Sequence, residues 1–513
     1  MVSANHAADL LDLALEAQRR ARRDEALERL SGCEDWPRPY SEQGLLLRSQ
    51  VLTYRDPILG LSELAAHSDA FSSLEGKFGY FIASARAYTN CRNFDGAAEM
   101  LEAAEDLLEG PDDPLLSKVA LHRTRLLWST KTYDPHNELF AIAARDTDPA
   151  IRFSAKVVQA WMYAGLENYR EQLRELRSAI AMFERDGYRC DLTMVGVALH
   201  AMLELAFELG DTEVVADGES AYDGIEWTAD LQTYRFLCVR ALAWHAFLQG
   251  EPARAQWLFK DSKDLAPTPA WQVMAHVDRA YVAQMSRNDA WAVEELHQAH
   301  KVARTVQWAA TMGEERMALI SLAVLFAPID MAQAQRYVST YIQIGTEGID
   351  PTIGASHQRR TVALEKYASG RVQSVLGNTN LAVKNLEAAY GIFSEIQHEY
   401  RAALAAQALS ELTQNESWKR MAQAHAQSFP KSPLFARLRD SAQTSPDGGL
   451  TSLSAPQRQL ALALCEGAGI EQLSRRFSRS EFTLRRQIEE VYGALGVRGP
   501  LGLRKELERR GVL

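Results

Sequence analysis

Cysteine is scarce in this 513-residue sequence, and its apolar runs are short. The cysteines lie far apart, which indicates neither a disulfide framework nor a zinc motif and favours buried free thiols. The longest nearly uncharged apolar run, Met317 to Ile329, is too short to cross a bilayer, and Met1 to Ala14 has neither the basic start nor the apolar core of a secretion signal. These absences predict a cytoplasmic protein that does not enter a membrane. The cysteines are Cys33, Cys91, Cys190, Cys238 and Cys465.

Motifs for catalysis and cofactor binding are also missing. There is no GxxxxGK[ST] phosphate loop, because Gly76-Lys77 lacks the earlier glycine and the following hydroxyl residue, and there is no Gly-x-Ser-x-Gly nucleophile turn. His297 and His300, with Glu294, could supply two metal ligands from one helix, but an i, i+4 histidine pair and an obvious third ligand are lacking. We therefore expect neither an enzyme nor a bound cofactor or metal.

Charge is divided unevenly along the chain. Of 56 basic and 67 acidic residues, 11 and 7 lie in residues 450–513, which leaves 45 and 60 in residues 1–449. The C-terminal part, with a balance of +4, can approach a polyanion, whereas the body, with −15, would be repelled by DNA. The basic run from Arg19 to Arg23 could contact phosphate, but the neighbouring Asp24 and Glu25 favour a solvated helix face.

A small residue recurs near the middle of successive predicted helix pairs, at intervals of about 34 to 50 residues, the range of helical repeat arrays. The best units place a large residue four positions and a small residue seven positions after the first, as in Ala382, Leu386 and Ala389. Small residues at both ends let two helices approach closely while the large one fills the gap. The recurring positions are Ala26, Gly60, Ala97, Asn137, Gln172, Val215, Ala255, Ala292, Ala332 and Ala382. The triplet recurs at Ala255-Phe259-Ser262, Ala292-Leu296-Ala299, Ala97-Leu101-Ala104 and Ala26-Leu30-Cys33.

Over roughly residues 7 to 429, this pattern resembles the tetratricopeptide repeat family. The resemblance implies an α-solenoid whose concave face binds a peptide or a partner protein. Six of the ten tryptophans lie within about two repeats and could form a peptide or small-molecule pocket on that face, although packing between helices is the favoured interpretation. They are Trp227, Trp244, Trp257, Trp271, Trp291 and Trp308.

Proline, glycine and serine interrupt the helical pattern between Ser428 and Ser452. Such a composition predicts a flexible polar connection, although residues 433–440 could still form a short helix that ends the array. We predict a helical repeat domain at 1–440, a linker at 441–451 and a small C-terminal domain at 452–513.

The C-terminal domain is predicted to begin with three short helices. Ser454 and Gln457 form a capping-box pattern that starts the first, and a second ends near Phe477. Ser480 caps the third, so that two helices separated by a three-residue turn make a helix-turn-helix. The third helix has the i, i+4, i+7, i+11 spacing of one buried face, formed by Leu484, Ile488, Val491 and Leu495.

A set of residues at characteristic spacing accompanies these helices: Leu453-Ser454, Arg458, Glu466-Gly467, Leu473, Arg475-Arg476, Ser480, Thr483-Leu484, Ile488, Val491-Tyr492 and Leu495-Gly496-Val497-Arg498. From Leu453 to Gly499 the sequence resembles, without gaps, the LuxR-type DNA-binding domain of bacterial transcription regulators. The resemblance implies a four-helix domain whose third helix enters the major groove of double-stranded DNA. It also implies homodimerisation through a fourth helix, roughly Pro500 to Arg510.

The resemblance further implies roles for individual side chains. Thr483 would contact a backbone phosphate, while Arg485 and Gln487 stand where lysine and histidine are usual in base or phosphate contacts. Arg475 and Arg476 in the second helix would position phosphates, together with Arg498. The candidate DNA-binding residues are Ser480, Thr483, Arg485, Arg486 and Gln487, with Arg475, Arg476 and Arg498.

These patterns predict an all-α protein in which a tetratricopeptide-like α-solenoid precedes a LuxR-type helix-turn-helix. The favoured hypothesis is a transcription regulator whose array senses a peptide, protein or small-molecule signal and controls the DNA-binding domain. The alternative is a protein-interaction adaptor whose helix-turn-helix binds protein instead of DNA. Arg479, Glu489 and Glu490, which depart from the resemblance, suggest that alternative.

Overall fold

The computed structural model is all-α: it contains helices and turns, and no strand occurs in the part of the chain that it describes. The chain forms two compact units, Met1–Pro433 and Leu434–Leu513. The predicted linker lies outside the described residues, so the three predicted segment bounds stay predictions. The described residues are 2–286, 288–311, 313–327, 329–344, 355–435, 455–465, 469–477, 484–485, 487–489, 491–492, 497 and 499–509.

The first unit is an array of helix pairs, in which each odd-numbered helix packs against the even-numbered helix that follows it. The helices are α1 Ala4–Arg19, α2 Arg23–Arg29, α3 Tyr40–Arg55, α4 Pro57–Ala66, α5 Leu74–Asn90, α6 Phe94–Glu105, α7 Leu116–Ser129, α8 Glu138–Ala143, α9 Pro149–Gly165, α10 Tyr169–Asp186, α11 Leu192–Leu209, α12 Thr212–Asp223, α13 Gln232–Leu248, α14 Pro252–Leu265, α15 Pro269–Met285, α16 Asp289–Ala303, α17 Gly313–Phe326, α18 Met331–Ile344, α19 Ala355–Val375, α20 Thr379–Glu395, α21 Glu399–Thr413 and α22 Glu416–Ala426. Short 3-10 helices lie at Cys33–Asp35, Ser68–Ala70, Gly187–Arg189, Ala229–Leu231, Trp308–Ala310 and Pro433–Phe435.

A polar cap begins the second helix of many pairs, and a buried residue lies four positions after it. Asn93 Oδ1 accepts a hydrogen bond from Gly96 N at 3.0 Å, and Ala97 is fully buried. Such caps satisfy backbone donors that the first turn leaves unpaired. All five predicted triplets are buried, with no residue more than 7% exposed, which confirms the close helix contacts expected from them.

At two of the recurring positions, Ala332 and Asn137, the predicted small residue in the middle of a helix pair is not found. Ala332 is exposed, whereas Ala334, four residues after the cap Asp330, is fully buried. Asn137 is itself the cap of the short helix α8, where its Oδ1 accepts a hydrogen bond from Leu139 N. Both errors come from placing the repeat by spacing alone, because the cap fixes the register of the second helix.

One helix of the array, α11, is long and apolar enough to span a membrane by length and composition. However, 72% of its residues are buried inside the protein, where it packs against α10, α12 and α13. A buried core helix accounts for its apolar character.

The array also turns back on itself. Its late helices α19 and α21 pack against α9 and α11, which lie several pairs earlier in the chain. In an open solenoid each repeat contacts only its neighbours. Side chains of distant pairs can therefore meet in the interior of this array.

The second unit contains α23 Ala455–Cys465, α24 Ile470–Phe477 and α25 Gly499–Arg509. Residues 484–485, 487–489 and 491–492 between them are helical as well. The helices predicted at these places from the sequence are thus present.

Candidate functional site

The predicted helix-turn-helix has the expected apolar contacts. Leu460 of α23, Leu473 of α24 and Leu484 are buried in one cluster, against which Ile470, Phe477 and Ile488 pack. Leu484 and Ile488 therefore face the two preceding helices, as their spacing predicts. In a second cluster, Val491 packs with Leu503 and Leu507 of α25. The predicted stripe is confirmed at Leu484, Ile488 and Val491, while Leu495 lies outside the described residues.

The opposite side of this third helical segment carries polar residues. Arg485 and Glu489 are exposed, and Gln487 is partly exposed. Arg475 and Arg476 lie on α24, and their side chains are outside the described part of the structure. The other candidate DNA-binding residues, Ser480, Thr483, Arg486 and Arg498, also lie outside the described residues.

In the first unit, a polar cluster joins helices that are far apart in sequence. Tyr54 of α3 donates a hydrogen bond to Oδ2 of Asp191, which lies at the start of α11. Gln18 Nε2 donates to the same oxygen at 3.4 Å. The Arg86 guanidinium of α5 lies 4.4 Å from the Tyr54 ring centroid. Tyr54 and Asp191 are 137 residues apart and both are partly buried, so this cluster joins helix pairs that are distant in sequence.

Two residues of α7, His122 and Arg125, lie near enough to Arg86 for its charge to lower their pKa values. Burial, followed by repulsion from Arg86, lowers the pKa of Arg125 to about 10. Burial also holds the pKa of His122 well below its ordinary value, with Arg125 and Arg86 adding to the effect. We call the four residues Tyr54, Arg86, His122 and Arg125 the inner basic cluster.

A second internal group of charges ties the late helices to the middle of the array. Arg360 Nη2 donates to Glu204 at 2.9 Å and to Glu208 at 3.1 Å, and Arg401 Nε donates to Glu208 at 3.0 Å. His398 Nδ1 lies 2.9 Å from Glu208, and both residues are fully buried. Burial disfavours the charged Glu208 carboxylate, but Arg360 and Arg401 hold its pKa well below the ordinary value.

The N-terminal arginines do not form the solvated face expected from the sequence. Arg20 and Arg22 both pair with Glu226, and Arg19 lies 3.6 Å from Asp148. Arg23 N donates to Asp230 Oδ2 at 2.8 Å. The expectation missed these contacts, because Asp148, Glu226 and Asp230 lie more than a hundred positions later in the chain, where the local acidic pattern does not reveal them.

Three of the six clustered tryptophans belong to the core. Trp244, Trp271 and Trp308 are each 8% exposed, and the Trp244 ring makes edge contact with Phe259 at 5.4 Å between centroids. Packing between helices is confirmed for these three. Trp257 is 65% exposed, so it is not part of the core between the helices, and it does not line an enclosed pocket with the other tryptophans.

The histidines of α16 do not converge on one another. His300 Nδ1 lies 2.6 Å from the Tyr337 hydroxyl, and His297 is exposed. Within the described residues, no group of three potential ligands could hold a metal ion.

The known proteins that this chain matches are solved structures. No protein family and no curated protein matches the sequence. Among the solved structures that match is a Rap protein complexed with competence and sporulation factor, similar over 68% of this chain and 100% of that chain. Its sequence identity is 14% and its TM-score 0.38, so this likeness carries no argument about what the present chain binds.

Sequence reasoning missed the inner basic cluster. Arg86 and Arg125 fit no motif, and the polar residues that they approach come from other helix pairs. The sequence does place basic or aromatic residues on the first helix of three successive pairs, at Tyr54, Arg86 and Arg125. That these side chains belong together becomes clear only when the helices are packed.

Proposed function

We propose that the chain is a cytoplasmic transcription regulator whose C-terminal unit binds double-stranded DNA as a homodimer. The observation that supports the proposal is the packing of the buried Leu484 and the partly buried Ile488 against the two preceding helices, with Arg485 exposed on the same helical segment. A recognition helix needs this division, because one face must hold the domain together while the other enters the major groove. In the proposal, the array binds a peptide, protein or small-molecule signal that controls DNA binding.

The charge distribution indicates that DNA affinity would depend on a few side chains. The basic balance of residues 450–513 is modest, and the exposed Glu489 lies near Arg485 on the same segment. Bulk charge therefore supplies little phosphate attraction, so individual arginines and dimer geometry must supply most of the affinity.

DNA binding is tested by selecting duplexes from a random pool with the full chain, followed by mobility shifts across a range of salt concentrations. We expect salt-sensitive binding, because phosphate contacts release counterions. Arg485→Ala should cost about 1–3 kcal/mol on the selected sequence and relax base preference, whereas Arg475→Ala should weaken binding to all duplexes alike.

Arg185→Ala, at an exposed arginine of α10, serves as the control and should leave DNA binding unchanged. If no duplex is bound in a salt-sensitive manner, with or without cell extract as a source of effector, the proposal fails. Equal effects of Arg485→Ala on selected and random DNA would refute the assigned role of Arg485.

The adaptor hypothesis has one observation in its favour: Glu489 is exposed on the segment that would face DNA. An acidic side chain there suits a basic protein surface better than a phosphate backbone. Copurification of a stoichiometric protein partner that requires Glu489, without DNA binding, would favour the adaptor.

A further inference from the structure

We propose that residues 428–432 form a clasp through which the state of the array reaches the C-terminal unit. The clasp follows α22 and rests on two turns in the middle of the array, and the first unit ends directly after it, at Pro433. The inference rests on the proposed function in taking the array as the part that senses a signal and the C-terminal unit as the part that it controls.

The seat of the clasp consists of the turns that follow α11 and α13. A Cβ added to Gly210 would lie 3.3 Å from the backbone oxygen of Ser428, and one added to Gly250 would lie 2.7 Å from the backbone oxygen of Lys431. The first distance is tighter than most Cβ contacts, and real Cβ atoms are essentially never found at the second. The backbone of the clasp therefore runs directly against turns that precede it by more than 180 residues.

Glycine at these two positions is not required by the turn alone. Each position has a left-handed backbone, with φ of +77° at Gly210 and +75° at Gly250. Other pairs have Arg92, Lys131 and Glu167 at the same position of the turn, with φ between 59° and 63°. Because long side chains are accepted there, the left-handed backbone does not by itself explain the two glycines. The close approach of the clasp does explain them, since any side chain would meet its backbone.

Apolar packing holds the clasp on its seat. Phe429 is 1% exposed, and its ring centroid lies 6.1 Å from that of Tyr400 on α21. Ser432 is also buried, whereas Ser428 and Lys431 are exposed. The clasp lies between α22 and the 3-10 helix Pro433–Phe435. It thus rests on the array through one side, and its release would expose Phe429 without unfolding a helix.

The helices that end at this seat carry buried charged contacts of the array. On α11, Glu208 accepts hydrogen bonds from Arg360 and Arg401 of the late helices. On α13, Arg240 Nε donates to Asp278 Oδ2 of α15 at 2.6 Å. A signal that rearranges either contact would shift α11 or α13, and with it one of the two turns that hold the clasp.

Gly250→Ala tests the seat, and Gly377→Ala is its matched control. Gly377, in the turn after α19, has φ of +76° and no described atom within 4 Å of an added Cβ. Alanine there introduces the same backbone strain without meeting the clasp. Hydrogen exchange of the full chain is measured in peptides that cover residues 428–435.

We expect exchange in these peptides to be about tenfold faster in Gly250→Ala than in the wild type, because overpacking against a backbone oxygen releases the clasp. Gly377→Ala should leave it unchanged. Gly210→Ala should give a smaller increase, since its added Cβ has 3.3 Å of space, and it carries the test if Gly250→Ala does not fold. Exchange that is equally fast in the glycine variants and in Gly377→Ala would overturn the inference, because strain in a turn would then account for it.

Control of the C-terminal unit is measured by mobility shift with the duplex selected by the wild-type chain. The apparent Kd of the variant with the released clasp should differ from that of Gly377→Ala by about fivefold or more, a typical size for coupling between two sites. If the wild type binds DNA and the released variant binds with an unchanged Kd, the clasp is only a structural end of the array. That result refutes this inference and leaves the proposed regulator intact.

Small-angle X-ray scattering of the same proteins decides the case in which the wild type binds no duplex. That outcome refutes the proposed regulator. Release of the clasp should still free the start of the connection to the second unit, so the released variant should have a larger radius of gyration than Gly377→Ala. A larger value supports the clasp as the device that positions the second unit, and equal values overturn it.

Discussion

At the scale of single residues, the carboxylate of Glu295 shows how partners overcome burial. Its side chain is 8% exposed, and it accepts hydrogen bonds from Arg279 Nε at 2.7 Å and Trp291 Nε1 at 3.0 Å, with His276 Nδ1 at 2.6 Å. Burial alone would raise the pKa of Glu295, but His276 and Arg279 bring it down to about 2. The ionised form is therefore strongly favoured in the folded protein.

Because the pKa of Glu295 differs between the folded and unfolded protein, the free energy of unfolding depends on pH. Because the folded pKa of Glu295 lies below its ordinary value of 4.5, its stabilisation is complete above about pH 4.5 and is lost as the pH falls towards 2. We expect Glu295→Gln to lower the free energy of unfolding by about 3 kcal/mol at pH 7, and by progressively less below pH 4.5. Urea unfolding of both proteins at pH 7, 4 and 3 measures the effect.

Glu294→Gln is the matched control for that series. Glu294 is exposed and accepts a hydrogen bond from Gln298 on the next turn, a contact that is worth about 0.5 kcal/mol or less. It should change stability little at any of these pH values. A difference between wild type and Glu295→Gln that stays constant from pH 7 to 3 would contradict the charge-based explanation.

Residue burial could be predicted from the sequence where it follows a local period. Ala382, Leu386 and Ala389 lie four and three positions apart on one helix, so the pattern itself fixes their common face. The partners of Arg86 and Glu208 could not be predicted this way. They are brought together by the path of the whole array, which no short-range pattern encodes.

At the scale of elements, the close approach of α19 and α20 depends on one glycine. A Cβ added to Gly370 would lie 2.6 Å from Leu386 Cγ and 3.2 Å from the backbone oxygen of Ala382. Leu386 is 1% exposed and has little room to move. The Ala-Leu-Ala triplet of α20 thus needs a small residue on the facing helix.

Gly370→Ala should therefore lower the free energy of unfolding by about 1–3 kcal/mol through overpacking. The matched control is Gly391→Ala on α20, where an added Cβ has no described atom within 4 Å. That variant should raise stability by up to about 1 kcal/mol, because alanine favours the helix. Both are measured by urea unfolding, and a stabilising Gly370→Ala would refute the tight contact.

The helix pairs themselves could largely be predicted, but their register depended on the caps. The residue four positions after the cap is buried in α6, α16, α18 and α20, at Ala97, Ala292, Ala334 and Ala382. A search that starts from the cap would have chosen Ala334 instead of Ala332. The helix α8, the second of its pair, is only six residues long. It is too short to contain a small residue at one position and another seven positions later.

At the scale of the whole molecule, the Glu208 cluster makes the first unit more than a chain of neighbouring repeats. Arg360 and Arg401 belong to the late helices α19 and α21, whereas Glu204 and Glu208 belong to α11. These contacts close the array. Hydrophobic packing between Phe207 and Tyr400, whose ring centroids are 5.8 Å apart, adds to the same junction.

Glu208→Gln tests whether this junction couples the two parts of the array. The substitution leaves Arg401 without its buried carboxylate, and loss of one partner of a buried ion pair costs about 3–5 kcal/mol. We expect amides in residues 359–426 to exchange hydrogen much faster in the variant, while Glu184→Gln, at an exposed position of α10, leaves exchange unchanged. Unchanged protection of residues 359–426 in Glu208→Gln would mean that the buried charges do not hold the late helices, and that apolar packing such as that of Phe207 on Tyr400 holds the junction instead.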